Sequence, residues 1–573
     1  MSLRTRPGLA LFAVTMMVAV ACQAAPVASP TGPASTPAGG TTTQPATPGD
    51  SPADSPDATT GAASPAASPT GSPAGSPSET AGQSPTGEQT LRYVIDGEIT
   101  FLSNALADVP TAEAAQWLHS ALYTYNEALE PVPDLAADMP VISEDGRTWT
   151  VTLRDDAVFQ GPPGTPGVGE PVTADDVVFT YEMSNNPNCR FNPSVCLGNV
   201  VVAPPGDPDA EPVQVLKSVR AVDDQTVEFV LNFPYAPFMT TSLPGHLIDS
   251  RAAVEASFAE FEEGSQNVTV DEVTDLSDRF AAEAETPTGP PDEEGNPTPN
   301  LAQFRAEAEE ILGRAGVELP NEAAYPNAEG TGTDEEAFAG ALQTLIDDLR
   351  LTLESDAADR IAAAYTLLDI QRQPVGAGPF YLTEFNAGEN LVYARNEQYH
   401  HGTPQISQMF LPIIKDAVAA TSALVAGDVD WVYSVEADQF ATIQNNPEVK
   451  YAEYADFSYF GVQFNLREGR LFAEKEMRQA AAFCIPKEDM VDAATAGQAV
   501  TIHADLPPAS WAYNPDVRIY EHDPAQGNAL IEGLGYTKGA DGVYERDGKR
   551  LETTILVRAG KPDRIAFMQF FAD

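Results

Sequence analysis

Trp149-Thr150-Val151-Thr152-Leu153-Arg154, with Pro171-Val172-Thr173-Ala174-Asp175-Asp176-Val177-Val178-Phe179 shortly after it, is the stretch on which the fold turns. Glu144-Asp145-Gly146 is a turn signal, and behind it Trp149, Val151 and Leu153 recur at period two, the spacing of a strand with one buried face. The second half has a helical start. Thr173 stands three residues before Asp176 and just ahead of Val177, Val178 and Tyr181, which predicts a capping box. In such a box the Thr173 hydroxyl accepts from the Asp176 amide, while the Asp176 carboxylate reaches back to the cap and favours the positive helix end. The cap accounts for the adjacent carboxylates Asp175 and Asp176 without acid/base chemistry. Apolar strands and short amphipathic helices alternate from Leu91 onward.

Residues 251–370 are different in composition. They carry 28 Asp+Glu against 6 Arg and no Lys, a net of −22 out of −53 for the whole 573-residue chain. Helical runs such as 335–352, with Phe338, Leu342, Leu345, Ile346 and Leu349 at helix spacing, alternate with breaks at 286–300 and 321–333. The segment reads as an added, acidic, mostly helical insertion whose charge forms a solvated face. With 31 Lys+Arg against 84 Asp+Glu, the chain lacks the positive field that nucleic acid or an anionic membrane surface would require.

Upstream, Gln23 to Thr90 holds 13 Pro, no aromatic residue and only Val27 as an aliphatic side chain larger than Ala. Such a segment cannot bury enough apolar surface to offset its ordering entropy, so a disordered, extended linker is expected. Before it, Arg4 and Arg6 precede an apolar run from Leu9 to Val20 that ends at Ala19, Ala21 and Cys22. That order is a secretory signal, and the run falls short of the ~20 residues a membrane-spanning helix needs. Ala19-Val20-Ala21-Cys22 resembles the lipobox of bacterial lipoproteins, with Ala19 where Leu is usual. The resemblance implies cleavage before Cys22 and its lipidation, anchoring the protein through acyl chains at about 0.8 kcal/mol per buried methylene; an ordinary secretory signal is the alternative.

Export bears on the other cysteines. Cys189 and Cys196 flank Arg190 to Val195 in a turn-rich stretch, and an oxidising compartment lets them pair, closing a loop worth about 2.5 kcal/mol. No companion CxxC or HxxxH accompanies them, so no zinc site is expected there. Cys484, in the apolar stretch 479–484, reads as a buried small hydrophobe. Catalytic patterns are absent from the sequence: there is no GxSxG, HExxH or GxxxxGK[ST], and none of the six His stands at metal-ligand spacing. Gly376-Ala377-Gly378 lacks the third glycine of a dinucleotide fingerprint.

The order of motifs then carries a resemblance. Leu91-Arg92-Tyr93, Pro133-Asp134-Leu135-Ala136, Trp149 to Arg154, Val158-Phe159 and Pro171 to Phe179 are followed, after the acidic segment, by Gly376-Ala377-Gly378-Pro379-Phe380, Asn396-Glu397-Gln398-Tyr399-His400-His401-Gly402 and Ala423-Leu424-Val425-Ala426-Gly427-Asp428-Val429-Asp430. Phe464-Asn465, Met477-Arg478-Gln479-Ala480 and Asp523-Pro524-Ala525-Gln526 complete the series. In that order they resemble the family 5 extracellular solute-binding proteins, the peptide, oligopeptide and nickel receptors of ABC importers.

The resemblance implies an α/β fold of the two-lobed, periplasmic-binding-protein-like kind (type II, cluster C), with a third subdomain on the first lobe. The expected division is a signal peptide (1–21), lipidated Cys22 with the linker (22–90), a first solute-binding lobe with its subdomain (91–250), the acidic insertion (251–370) and an incomplete second lobe (371–573). In peptide-binding members a late loop presents an Asp to the ligand's α-amino group before the chain returns to the first lobe; this sequence stops at Asp573, so its C-terminal part is expected to be truncated. The implied function is binding rather than catalysis: a monomeric receptor, without cofactor, that captures a peptide or other small solute between its lobes. The closed form would dock on a membrane permease and its ATPase from the outer face of the cell membrane, in the periplasmic space or at the cell surface. A secreted, lipid-anchored hydrolase and an adhesin-like surface protein are the competing classes, and the ligand itself (peptide, nickel chelate or sugar) stays open.

Expected ligand contacts follow the family's positions. Leu102, Ser103 and Asn104 match a cleft-lining strand-end loop, here Phe101-Leu102-Ser103-Asn104 in place of Thr-Leu-Asp-Pro and so without its acidic residue. Tyr459, Phe460 and Gly461 precede Phe464-Asn465 in the second lobe, and Trp431 and Trp511 are further aromatic walls, with core packing the alternative for each aromatic. His400 or His401 stands where the family has Trp. Neighbouring residues on a strand point to opposite faces, so the pair is expected to be a poor chelate and no metal is expected.

Overall fold

The computed structural model describes residues 89–557 and 562–572, apart from positions 100, 106–108, 194, 203, 205–210, 291–296, 326, 328–331, 434, 436–438, 454–458, 468, 496, 498, 505, 507, 509 and 511–512. The expected signal, Cys22, the linker up to residue 88 and Trp511 lie outside the described residues. Among the described residues no helix is long and apolar enough to cross a membrane.

Strands β1 (Thr90–Val94), β2 (Val141–Ile142), β3 (Thr148–Thr152), β4 (Leu216–Asp223), β5 (Thr226–Leu231), β6 (Phe380–Asn386), β7 (Asn390–Arg395), β8 (Gln408–Pro412) and β9 (Trp431–Val432) build two sheets. One has the order β2-β3-β5-β4, with Trp149 opposite Phe229 and Val151 opposite Val227 across an antiparallel ladder. Trp149, Val151 and Leu153 are buried, as period two requires. The helix Ala174–Ser184 covers this sheet, and its cap forms: Asp176 Oδ2 accepts from the Thr173 backbone N–H at 2.9 Å and from its hydroxyl at 2.7 Å. The other oxygen of Asp176 accepts from the Arg251 N–H at 3.0 Å, which ties the start of the acidic segment to the same cap.

The second sheet has the order β6-β7-β8-β1-β9 and joins chain segments more than 300 residues apart. β1 runs parallel to both β8 and β9. An ion pair splices it in: Arg92 Nη2 donates to Asp430 Oδ1 at 2.8 Å, Nε to Oδ2 at 2.9 Å, and Nη1 to the Asp428 carbonyl at 2.7 Å. The bidentate guanidinium fork explains why an Arg on β1 and an Asp at β9 occur together. The Gly376-Ala377-Gly378 turn also has a packing cause. A Cβ on Gly376 would lie 2.2 Å from the Leu118 carbonyl oxygen, and one on Gly378 would lie 2.5 Å from the Leu118 carbonyl carbon, so only glycine lets the two backbones pass.

The expected boundary at 370/371 is therefore corrected. β6 to β9, between residues 380 and 432, share a sheet with β1: β8 and β9 pair with it directly, and β6 and β7 join it through β8. Tyr93, Leu102, Leu118, Phe380, Leu391, Tyr393 and Met409 form the core of that sheet. A separate small core forms later, where the helix Lys475–Cys484 packs against Pro524–Gly533 through Met477, Ala480 and Ile531. Asp523 caps the second of these helices, accepting from the Ala525 and Gln526 amides.

The acidic segment folds onto the first sheet instead of standing apart from it. Its helices Arg251–Ser265, Val270–Glu285, Arg305–Arg314 and Glu335–Glu354 bury Phe261, Phe280, Ile311, Phe338, Leu342, Ile346 and Leu349 in the same continuous core as Trp149 and Phe229. Each of its six Arg is paired to an acid of the segment. Arg305 engages three at once, Glu309, Glu322 and Glu335, which offsets part of the local repulsion. Cys189 and Cys196 form a disulfide, and Arg190 inside its loop reaches Asp348 at 2.6 Å. Burial raises the Asp348 carboxyl against the pull of Arg190.

Candidate functional site

Leu102, Ser103 and Asn104 are buried, at 0%, 1% and 2% exposure, and make their contacts within the protein. The Leu102 N–H donates to the Gln371 carbonyl at 2.8 Å, and the Ser103 hydroxyl donates to Gln371 Oε1. Asn104 Nδ2 donates to the Leu247 carbonyl at 2.6 Å and to Asp249 Oδ2 at 3.0 Å, and its Oδ1 accepts from the Leu247 N–H. Burial pushes the Asp249 carboxyl up to about 6, against hydrogen bonds from Tyr365 and Asn104. The loop thus clamps the chain after β1 to Leu247, Asp249 and Gln371, the residues that flank the acidic segment, and its side chains are buried from solvent. The second expected group is exposed: Trp431 at 53%, Tyr459 at 38% and Phe460 at 50%, with Gly461 beside them. Core packing, the competing reading, does not describe these three aromatics. The Trp431 ring lies 6.3 Å from Tyr93, and the Arg564 guanidinium stands 5.3 Å over Phe460.

A constellation that motif reading missed lies where Pro133-Asp134-Leu135-Ala136 meets the turn after β7. Asn396 starts that turn, donating to the Pro379 and Gly378 carbonyls, and Gly402 ends it at φ +101°, a conformation that favours glycine. His400 and His401 therefore sit in a turn, not on a strand, and the expectation that they diverge is wrong. Both Nε2 atoms lie 2.9 Å from the same atom, Asp134 Oδ1. The imidazole centroids are 4.6 Å apart, and Tyr399 packs against both.

The carboxylate is held from its other side by the Ala121 N–H, 3.2 Å from Oδ2. Burial alone would raise the Asp134 carboxyl; hydrogen bonds and charge from His400 and His401 outweigh it and hold the group at about 2. Arg154 bridges the two chain segments, donating to the Asp134 and His400 carbonyls at 3.2 and 2.8 Å while its Nε meets Asp156 at 2.5 Å. His400 is buried and His401 is 42% exposed at the rim of a cleft of about 540 Å³, lined also by Leu153, Arg154, Asp155, Asp156 and Gln225. A neighbouring cleft of about 470 Å³ shares Asp155 and Gln225 and adds Asp223 and Asp224. Neither contains an expected ligand contact. The proximity of Asp134 to the histidines had no signal in the chain order, since 266 residues separate Asp134 from His400.

The sequence model of the bacterial extracellular solute-binding proteins, family 5 Middle, matches residues 130–264 and 351–573, more than half of the chain. The chain belongs to this family. Between the two matched parts, residues 265–350 are unmatched, and they fall within the acidic segment. Among curated family 5 relatives, the oligopeptide-binding protein AppA of Bacillus subtilis is 27% identical over 198 residues, 34% of this chain and 36% of AppA. Heme-binding protein A of Haemophilus influenzae is 25% identical over 182 residues, 32% and 33% of the two chains. The matched region thus spans about a third of the length of these relatives. Two solved structures resemble the fold at TM-score 0.52. Bacillus subtilis AppA in complex with a nonapeptide is 20% identical, covering 81% of this chain and 68% of its own. NikZ from Campylobacter jejuni in complex with Ni(L-His) is 19% identical, covering 85% and 71%. At that identity the likeness is one of fold: mixed α/β and two-lobed, as in the periplasmic peptide- and nickel-binding proteins. Family 5 proteins are solute receptors, not enzymes.

Proposed function

We propose that this chain is the substrate-binding receptor of an ABC importer, which captures a peptide or oligopeptide between its lobes and delivers it to a membrane permease and its ATPase. The observation that carries this reading is the family match on both sides of the acidic segment, together with relatives named for oligopeptide binding and peptide transport. An inter-lobe cleft buries most of a small ligand's surface and couples occupancy to lobe closure, a change that a permease can read. Trp431, Tyr459 and Phe460 are the aromatic walls in this reading, with Gly461 offering backbone to a peptide. Leu102, Ser103 and Asn104, whose polar groups are held by Gln371, Leu247 and Asp249, are the rigid strand-end loop of the cleft in this reading. The receptor acts as a monomer outside the cytoplasm, tethered through lipidated Cys22 and its linker. Thermal-shift measurements on the full-length protein across a peptide, sugar and nickel panel test the assignment: peptides raise the melting temperature, and the absence of a shift with every solute would overturn it.

A further inference from the structure

We propose that Asp134, His400 and His401 form a binding site for a divalent transition-metal ion of the zinc class, with Asp134 Oδ1 and the two Nε2 atoms as ligands. The three donor atoms lie within 4.8 Å of one another, and each imidazole nitrogen is already 2.9 Å from the carboxylate oxygen. A tetrahedral ion with bonds of about 2.0–2.1 Å holds its ligand atoms roughly 3.3–3.4 Å apart. The two oxygen–nitrogen separations need to open by only a few tenths of an ångström, and rotation of the Asp134 carboxylate and of the partly exposed His401 ring can supply that and set the nitrogen–nitrogen separation. Two imidazoles and one carboxylate suit zinc, cobalt, nickel or copper, whereas calcium and magnesium call for oxygen ligands.

The surroundings fit an ion as well. Ala121 N–H holds Asp134 Oδ2, leaving Oδ1 as the oxygen turned toward the imidazoles. Arg154 fixes the backbone of both ligand-bearing segments through their carbonyls, and Asp156 is paired with its guanidinium. His401 borders the acidic cleft, from which water can complete the coordination sphere. A purely structural clamp would need only the buried His400. A second, exposed hydrogen bond to the same oxygen adds little in water, whereas a chelate requires both nitrogens. The ion would cross-link the segment before β2 to the turn after β7. The site stands apart from the receptor reading, since an ion can bind whether or not a peptide does.

The test is titration of the chelator-treated, tag-free full chain with cobalt(II), followed by its visible absorption, and with zinc(II) by calorimetry. One ion per chain is expected, with the intense d–d bands of a tetrahedral centre. His401→Gln, at an exposed position that leaves the fold intact by circular dichroism, should lose the bands and at least tenfold in affinity, and Asp134→Asn should do the same. His522→Gln, at an exposed histidine outside the site, should bind as wild type does. Zinc should raise the melting temperature of wild type and not of His401→Gln. Equal affinity and equal spectra in wild type and His401→Gln, or no ion bound by wild type at 100-fold excess, would overturn the site.

Discussion

Replacing Gly378 by alanine probes the joint on which the β1 sheet depends. The new Cβ would lie 2.5 Å from the Leu118 carbonyl carbon and 2.6 Å from both the His119 nitrogen and the Trp117 oxygen. All three are backbone atoms, so no side chain can swing away; the start of β6 must move by close to an ångström to reach ordinary contact. Three hydrogen bonds at 3.0 Å depend on the present position: Gly378 N–H to the Leu118 carbonyl, Phe380 N–H to the Trp117 carbonyl, and Asn396 Nδ2 to the Gly378 carbonyl. At about 1 kcal/mol each, with ~1 kcal/mol of strain and an offset of about 0.5 kcal/mol from the stiffer unfolded chain, the substitution should cost about 3–4 kcal/mol. Urea unfolding followed by tryptophan fluorescence reads this directly, because Trp117 packs on Phe380 beside the joint. Gly340→Ala is the opposite control: it lies inside the helix Glu335–Glu354 with nothing within 4 Å of its Cβ, so it should stabilise by about 0.5–1 kcal/mol. A Gly378→Ala protein within about 0.5 kcal/mol of wild type would refute the reasoning.

Other consequences are open to simple measurements. Burial first, and then the charge of Asp96, push the Glu113 carboxyl up to about 7, so the folded state holds its proton more tightly than the unfolded state. Its contribution is fully present below about pH 4.5 and is lost as pH rises to about 7; relative to wild type, Glu113→Gln should gain about 2 kcal/mol over that range, and parallel pH profiles would contradict this. Reducing Cys189–Cys196 should lower the unfolding free energy by about 2.5 kcal/mol from loop entropy, read as a shift of the urea midpoint with and without dithiothreitol. Metabolic labelling with a palmitate analogue should mark wild type and leave Cys22→Ala unmarked; equal labelling would remove the anchor.

Local rules carried a good part of the fold. Period two at Trp149, Val151 and Leu153 and the Thr173–Asp176 cap depend on neighbours within a few residues, and both form. The 335–352 helix was legible for the same reason, and its five apolar positions are buried. Long-range pairing was not legible from spacing. That β1 lies between β8 and β9, held by a backbone ladder to each and by the Arg92–Asp430 pair, is something no periodicity announces. The acidic segment looked like a separate insertion because its charge is conspicuous, while the apolar stripe that merges it with the first core is spread over four helices. The histidine pair was misread because strand geometry was assumed where Asn396 and Gly402 make a turn. Leu102, Ser103 and Asn104 were matched by position in a motif, and position alone did not reveal that Gln371, Leu247 and Asp249 take up their polar groups.

Peptide capture is the central claim, and native mass spectrometry of the full-length protein incubated with a mixed library of di- to nonapeptides tests it most directly. Retention of one peptide per chain, with a matching rise in melting temperature, is the predicted result. A folded protein that retains no peptide from the library would contradict it.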